Sequence, residues 1–146
     1  MYANILVPVD GSDCSTLAFN HALSLAKALG SSLTLLTAVE DPVQYVYGLP
    51  EVGAYLPELY NDLKKSAEQT LANFEQEAQA AGLKVKTILA EHSKPEDAIL
   101  DNEASFDLIV MGTHGRRGLN RMVLGSVAES VLRRSSKPHL FVREQD

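Results

Sequence analysis

After Met111 the chain reads Gly112-Thr113-His114-Gly115, then nine residues from Arg116 to Leu124, then Gly125-Ser126. Glycines at the end of a strand let backbone N–H groups approach phosphate oxygens with no Cβ in the way. Ser126-Val127-Ala128-Glu129 has the pattern of a capping box, and the N–H groups and positive dipole end of a helix starting there also favour an anion. Between Asp107 and Glu129 no acidic residue occurs, while Arg116, Arg117 and Arg121 stand with His114. The chemistry these residues suit is the binding of a small phosphorylated ligand. His114 either donates to a phosphate or is solvated or backbone-bonded, since no second carboxylate or nucleophile is assigned near it for a role as a base.

A second group is Pro8-Val9-Asp10-Gly11-Ser12, which closes the first apolar run. Asp10 either contacts a ribose, or helps hold a hard cation through phosphates, or stabilises the turn. Other phosphate motifs fail. No G-x4-G-K-[ST] occurs, and Pro8-Val9-Asp10-Gly11 stands where a G-x-G-x-x-G would follow the first strand. The single Cys14 excludes an intramolecular disulfide and a Cys/His zinc cluster. It reads as an incidental small residue, with redox sensitivity near a helix N-terminus as the alternative. His21, between Leu17 and Leu25, reads as a packed or boundary histidine. Arg133 and Arg134 read as complements to the end of their helix.

The elements that must position these groups alternate between short β-type runs and helical patterns, which predicts βαβ units and a parallel sheet. Strands are expected at Ile5–Val9, Leu33–Val39, Val85–Ala90, Leu108–Met111 and Leu140–Val142. A helix over 14–29 carries Leu17, Ala18, Ala22, Leu25, Ala26 and Leu29 on one face. Another over 58–81 carries Leu59, Leu63, Ala67, Leu71, Phe74 and Ala78. Ser93-Lys94-Pro95-Glu96 opens a short helix, and the Ser126 box opens the last. The fold expected is an α/β domain over 1–146, with helices on both faces of a five-stranded parallel sheet in the order 3-2-1-4-5. In that order the first and fourth strands flank a topological switch point, where ligands of open α/β sheets bind. The stretch Glu40–Pro57, with three prolines and Tyr45, Tyr47 and Tyr55, reads as a surface excursion or, alternatively, a lid or partner surface.

The chain has 146 residues, 45% of them hydrophobic, which fits one domain. Its net charge of −6 argues against a general nucleic-acid binder. No apolar run approaches the ~20 residues that cross a bilayer, and no basic leader precedes Ile5, so a soluble, unexported protein of the reducing cytoplasm is expected.

The spacing G-x2-G-x9-G-S between a strand and a helix resembles the nucleotide-binding motif of the universal stress protein family. Asn4-Ile5-Leu6-Val7-Pro8-Val9-Asp10-Gly11-Ser12, Leu35-Leu36-Thr37-Ala38-Val39 and Lys137-Pro138-His139-Leu140-Phe141-Val142 carry the resemblance along the chain. It implies that Gly112, Gly115, Gly125 and Ser126 hold the ribose and phosphates of ATP or another adenine nucleotide, with Val127 donating a backbone N–H. Pro8, Val9 and Asp10 would lie along the adenosine, and the backbone of Ala38 would meet the adenine edge. Met111, His114 and Arg116 complete the implied set, with Mg²⁺ or Mn²⁺ held through the phosphates. Thr37 stands where members of the family often have a histidine. The resemblance also implies a homodimer through the terminal strand and a nucleotide-dependent regulator of stress physiology, read by a client such as a transporter. An apolar edge strand gives independent reason for pairing with its own copy. A slow ATPase or nucleotidyl-transfer enzyme, with no base identified, and a nucleotide-free interaction module are the alternatives.

Overall fold

The apolar runs become β1 (Asn4–Pro8), β2 (Ser32–Val39), β3 (Val85–Glu91), β4 (Leu108–Gly112) and β5 (His139–Val142). All pair in parallel, in the order β3-β2-β1-β4-β5, the arrangement expected from the sequence. The computed structural model describes residues 1–45, 48, 50–116 and 123–144; Tyr47, Arg117 and Arg121, singled out above, lie outside them.

The central position of β1 follows from its unbroken apolar run, because alternate side chains must be covered on both faces. Ile5 and Val7 join a core with Phe19, Leu35, Leu71 and Phe74 beneath two helices, α1 (Asp13–Leu29) and α2 (Leu56–Ala80). Leu6 points the other way, into a core with Leu36, Ile99, Ile109 and Val131. The helices there are α3 (Pro95–Asn102) and α4 (Ser126–Arg134). Phe19 and Phe74 meet with ring centroids 4.7 Å apart and tie α1 to α2.

The first helix buries a face rotated from the one its leucines mark. Ala18, Phe19, Ala22, Leu23 and Ala26 are inside, whereas Leu17 and Leu29 are exposed. Both stripes have helical spacing; the small alanines let the helix approach the sheet while Phe19 and Leu23 fill the space beside them. His21, one turn from Leu17, follows that leucine to the outside, so the packed-histidine expectation is incorrect.

The second helix starts at Leu56, two residues earlier than expected, because Pro57 fits a first helical turn. Its 25 residues span about 37 Å, longer than the ~26 Å of the eight-residue β2. Ala67, Leu71, Phe74 and Ala78 are buried, but Leu59 and Leu63 are 42% and 39% exposed, so the stripe leaves the core in its first turns.

Both expected capping boxes are displaced by one residue. The N-caps of α3 and α4 are Lys94 and Gly125, and neither helix has a side-chain cap. Proline forces the residue before it to be extended, which makes Lys94 the cap. Gly125 is held by its N–H donating to Thr113 O at 2.8 Å, so Ser126 is the first residue of α4 and not its cap. Arg133 pairs with Glu129 and Arg134 with Asp97, each about 3.0 Å away, so carboxylates engage the two guanidiniums. Among the described residues no helix is long and apolar enough to cross a membrane.

Candidate functional site

Where β1 and β4 lie side by side, the crossovers leaving their C-terminal ends diverge to opposite faces of the sheet, and a cleft of about 920 Å³ opens there. Its floor is Pro8, Val9 and Asp10 from β1 and its exit, and Met111 and Gly112 from β4. Ala38 of β2 borders one side. His114, Gly115 and Arg116 form the rim opposite, followed by Gly125, Ser126 and Val127 at the start of α4. Among the described residues, those implied to hold the nucleotide therefore line one cleft, although the two groups are separated by about a hundred residues of chain.

Glycine is required at three of these positions because the loop folds tightly against its surroundings. A Cβ on Gly112 would stand 2.8 Å from Cys14 Sγ and 3.0 Å from the Cys14 carbonyl, where the first turn of α1 packs on the end of β4. On Gly125 it would meet Thr113 O at 2.7 Å. On Gly115 it would meet Asp10 Oδ2 at 2.8 Å. The motif thus lets the loop close on itself and on β1, and this closure delivers an uncapped helix start to the cleft.

Asp10 is the link between the two halves. Its Oδ1 accepts from Ser12 N at 2.9 Å, and its Oδ2 accepts from Arg116 N at 3.1 Å. Arg116 Nε also donates to the Asp10 carbonyl, and the guanidinium lies beside Gly11. The carboxylate therefore stabilises the turn before α1 and anchors the glycine loop at the same time. Ser12 then caps α1 by accepting from Ser15 N at 3.2 Å.

His114 bridges the two arms of the loop. Its Nε2 meets Val123 O, which can only accept, so Nε2 carries the proton and Nδ1 accepts from Thr113 Oγ1 at 3.0 Å. Thr113 is buried, its N–H donates to Val142 O at 3.0 Å, and Cys14 Sγ donates to the same carbonyl at 3.3 Å. Cys14 is itself buried, an interior packing residue at the meeting of α1, β4 and β5. A smaller cavity of about 420 Å³ lies against this side of the loop, lined by Gly11 to Cys14, Thr113 to Arg116, Arg143 and Glu144.

Several lining residues were not read as site residues in the sequence. Thr37 Oγ1 donates to Val9 O at 2.7 Å, and Val9 N donates to Leu36 O at 2.9 Å, so β2 holds Val9 of the floor through both its N–H and its carbonyl. Lys94 and Glu96, from the start of α3, and Leu59 and Leu63, from α2, line the cleft as well. A lysine one residue before Pro95 is identified as a cleft residue only once the crossover from β3 to β4 is known to start there. The leucines looked like core.

A profile of the Universal stress protein family matches residues 1–143. Universal stress protein MJ0531 of Methanocaldococcus jannaschii is 35% identical over 99% of this chain and 84% of its own. The solved UspA of Lactobacillus plantarum superposes with a TM-score of 0.84 at 29% identity, covering 97% of this chain and 98% of that one. A solved universal stress protein in complex with cAMP gives 0.67 at 27% identity, covering 97% of each. Fold, cleft and comparisons agree: the chain belongs to the universal stress protein family.

Proposed function

We propose that this chain binds ATP or a related adenine nucleotide in the cleft over β1 and β4, and that occupancy is a signal read by a partner. The observation that carries the reading is the glycine loop, anchored on Asp10 and leading into the uncapped start of α4. Among the described residues the first N–H groups of that helix have no side-chain acceptor, and with the dipole end they suit a phosphate. Gly112, Gly115, Gly125 and Ser126 hold ribose and phosphates, and Val127 donates its N–H. Pro8, Val9 and Asp10 follow the adenosine, with the Ala38 backbone at the adenine edge. Met111 lies beneath, and His114 and Arg116 stand on the phosphate side. The cleft volume falls within the usual range for small-ligand sites. A relative solved with cAMP supports an adenine nucleotide as the class of ligand.

A divalent ion, Mg²⁺ or Mn²⁺, would come with the nucleotide on its phosphate oxygens. Among the described residues no group of three His, Cys, Asp or Glu side chains could hold a metal unaided. A regulatory role in cytoplasmic stress physiology, with a client such as a transporter, rests on family membership. A homodimer formed through β5 rests on the place of that strand at the edge of the sheet. The test is to denature freshly purified protein and identify the released nucleotide by mass spectrometry, followed by calorimetric titration. Adenine nucleotide near one per chain is expected; none released, with no heat on titration, would favour the interaction-module alternative.

A further inference from the structure

The first turns of α2 are fastened to the end of β3. Tyr60 stacks on His92 with ring centroids 4.3 Å apart and planes 2° from parallel, and its hydroxyl reaches Glu91 Oε1 at 3.5 Å. One turn later Lys64 Nζ pairs with the same carboxylate oxygen at 2.7 Å. His92 Nδ1 meets Asp41 Oδ2 at 3.0 Å, so the chain leaving β2 joins the same cluster. His92 holds a φ of 51°, a left-handed conformation uncommon outside glycine, where the chain turns after β3. Five side chains and one special backbone position thus meet at a corner of the molecule beside the cleft and outside the glycine loop.

The leucines explain what this corner is for. Tyr60 and Lys64 directly follow Leu59 and Leu63, and successive helix residues project about 100° apart. Holding Tyr60 and Lys64 against the outer strand β3 turns Leu59 and Leu63 inward, where both line the cleft with Ala67, across from the glycine loop. A wall of leucine side chains has nothing to offer a phosphate. It suits the flat, weakly polar face of a heteroaromatic base, which would remove from water the apolar surface now exposed on both residues.

We propose that Leu59 and Leu63 form the apolar wall on which the base of the bound nucleotide seats, and that the Tyr60–His92–Asp41 cluster and the Lys64–Glu91 pair position this wall. The proposal rests on the nucleotide reading of the cleft. Leu59 and Leu63 are binding residues; Tyr60 and His92 act through them.

Calorimetry on the full chain with ATP and with inorganic tripolyphosphate separates the base from the phosphates. In Leu59→Ser/Leu63→Ser the Kd for ATP rises about tenfold or more, while that for tripolyphosphate stays within about twofold. Tyr60→Ala raises the Kd for ATP about threefold with the same indifference to tripolyphosphate, and Tyr60→Phe, which keeps the stack, restores the wild-type value. An unchanged ATP Kd in the double variant, with wild type binding ATP, would overturn the wall while leaving the nucleotide reading intact. Parallel loss of both ligands would overturn it too, because the leucines would then act on the loop and not on the base. Failure of Tyr60→Phe to restore binding would overturn the positioning role. Wild type that bound neither ligand would remove the nucleotide reading and this inference together.

Discussion

At the scale of single residues, the motif glycines separate into two kinds, and the separation is testable. A Cβ on Gly115 meets the end of a side chain, Asp10 Oδ2, whereas on Gly125 it meets a backbone carbonyl that cannot give way. Gly115→Val therefore displaces the Asp10 carboxylate from the Arg116 N–H. It is expected to lower ATP affinity at least tenfold in calorimetry, at a cost in stability of about 1 kcal/mol or less in urea unfolding. Gly125→Ala forces the loop apart and costs about 1–3 kcal/mol of stability whether or not ligand is present. The spacing of these glycines was legible from the sequence, and so was their place between a strand and a helix. The packing roles of Gly112 and Gly115 were not, because they depend on Cys14 and Asp10, about a hundred residues away in the chain. Thr37 is similar: only the register of β2 on β1 brings its hydroxyl to Val9 O.

At the scale of elements, helical spacing revealed each long helix but not the structure that each face would meet. In α1 two stripes compete and packing volume selects the one with Phe19 and Leu23. In α2 one stripe serves two purposes, core for Ala67 to Ala78 and cleft for Leu59 and Leu63, because the helix is longer than the strands it covers. The turn from α4 into β5 permits a pH prediction. Glu103 accepts from Ser135 Oγ, from Ser136 N at 3.3 Å and from Ser136 Oγ at 3.1 Å. Burial alone would raise its pKa, but these hydrogen bonds outweigh burial and leave it below the usual value. His139 follows, with Nε2 buried and without a hydrogen-bond partner among the described residues. Burial lowers the His139 pKa, against the opposing pull of the Glu103 charge. A histidine lowered in the folded state contributes its full stability above the unfolded pKa of about 6.5, and that contribution is lost as pH falls below it. The urea midpoint is therefore expected to drop as pH falls below about 6.5. His139→Phe should flatten that drop; an equal slope in both proteins would count against it.

At the scale of the molecule, alternating strands and helices made the sheet order legible, since right-handed crossovers leave few ways to wind five parallel strands. The same order leaves β5 at an edge, with Leu140 37% exposed. If copies of the chain pair there, Leu140→Lys should shift the mass seen by light scattering at micromolar concentration from dimer to monomer while leaving the circular dichroism spectrum unchanged. A wild-type monomer under those conditions would exclude the pairing. The crowded junction where Gly112 touches Cys14 has a practical consequence of another kind. Because the only thiol of the chain is buried between α1 and the ends of β4 and β5, where its residue borders the smaller cavity, a labelling reagent gains full access to it when those three part. The rate of thiol modification is then a built-in clock for local opening, legible in the absorbance of a coloured leaving group without any added probe. A ligand that fastens the glycine loop should slow that clock in proportion to its occupancy, giving a titration curve from a residue that never touches the ligand.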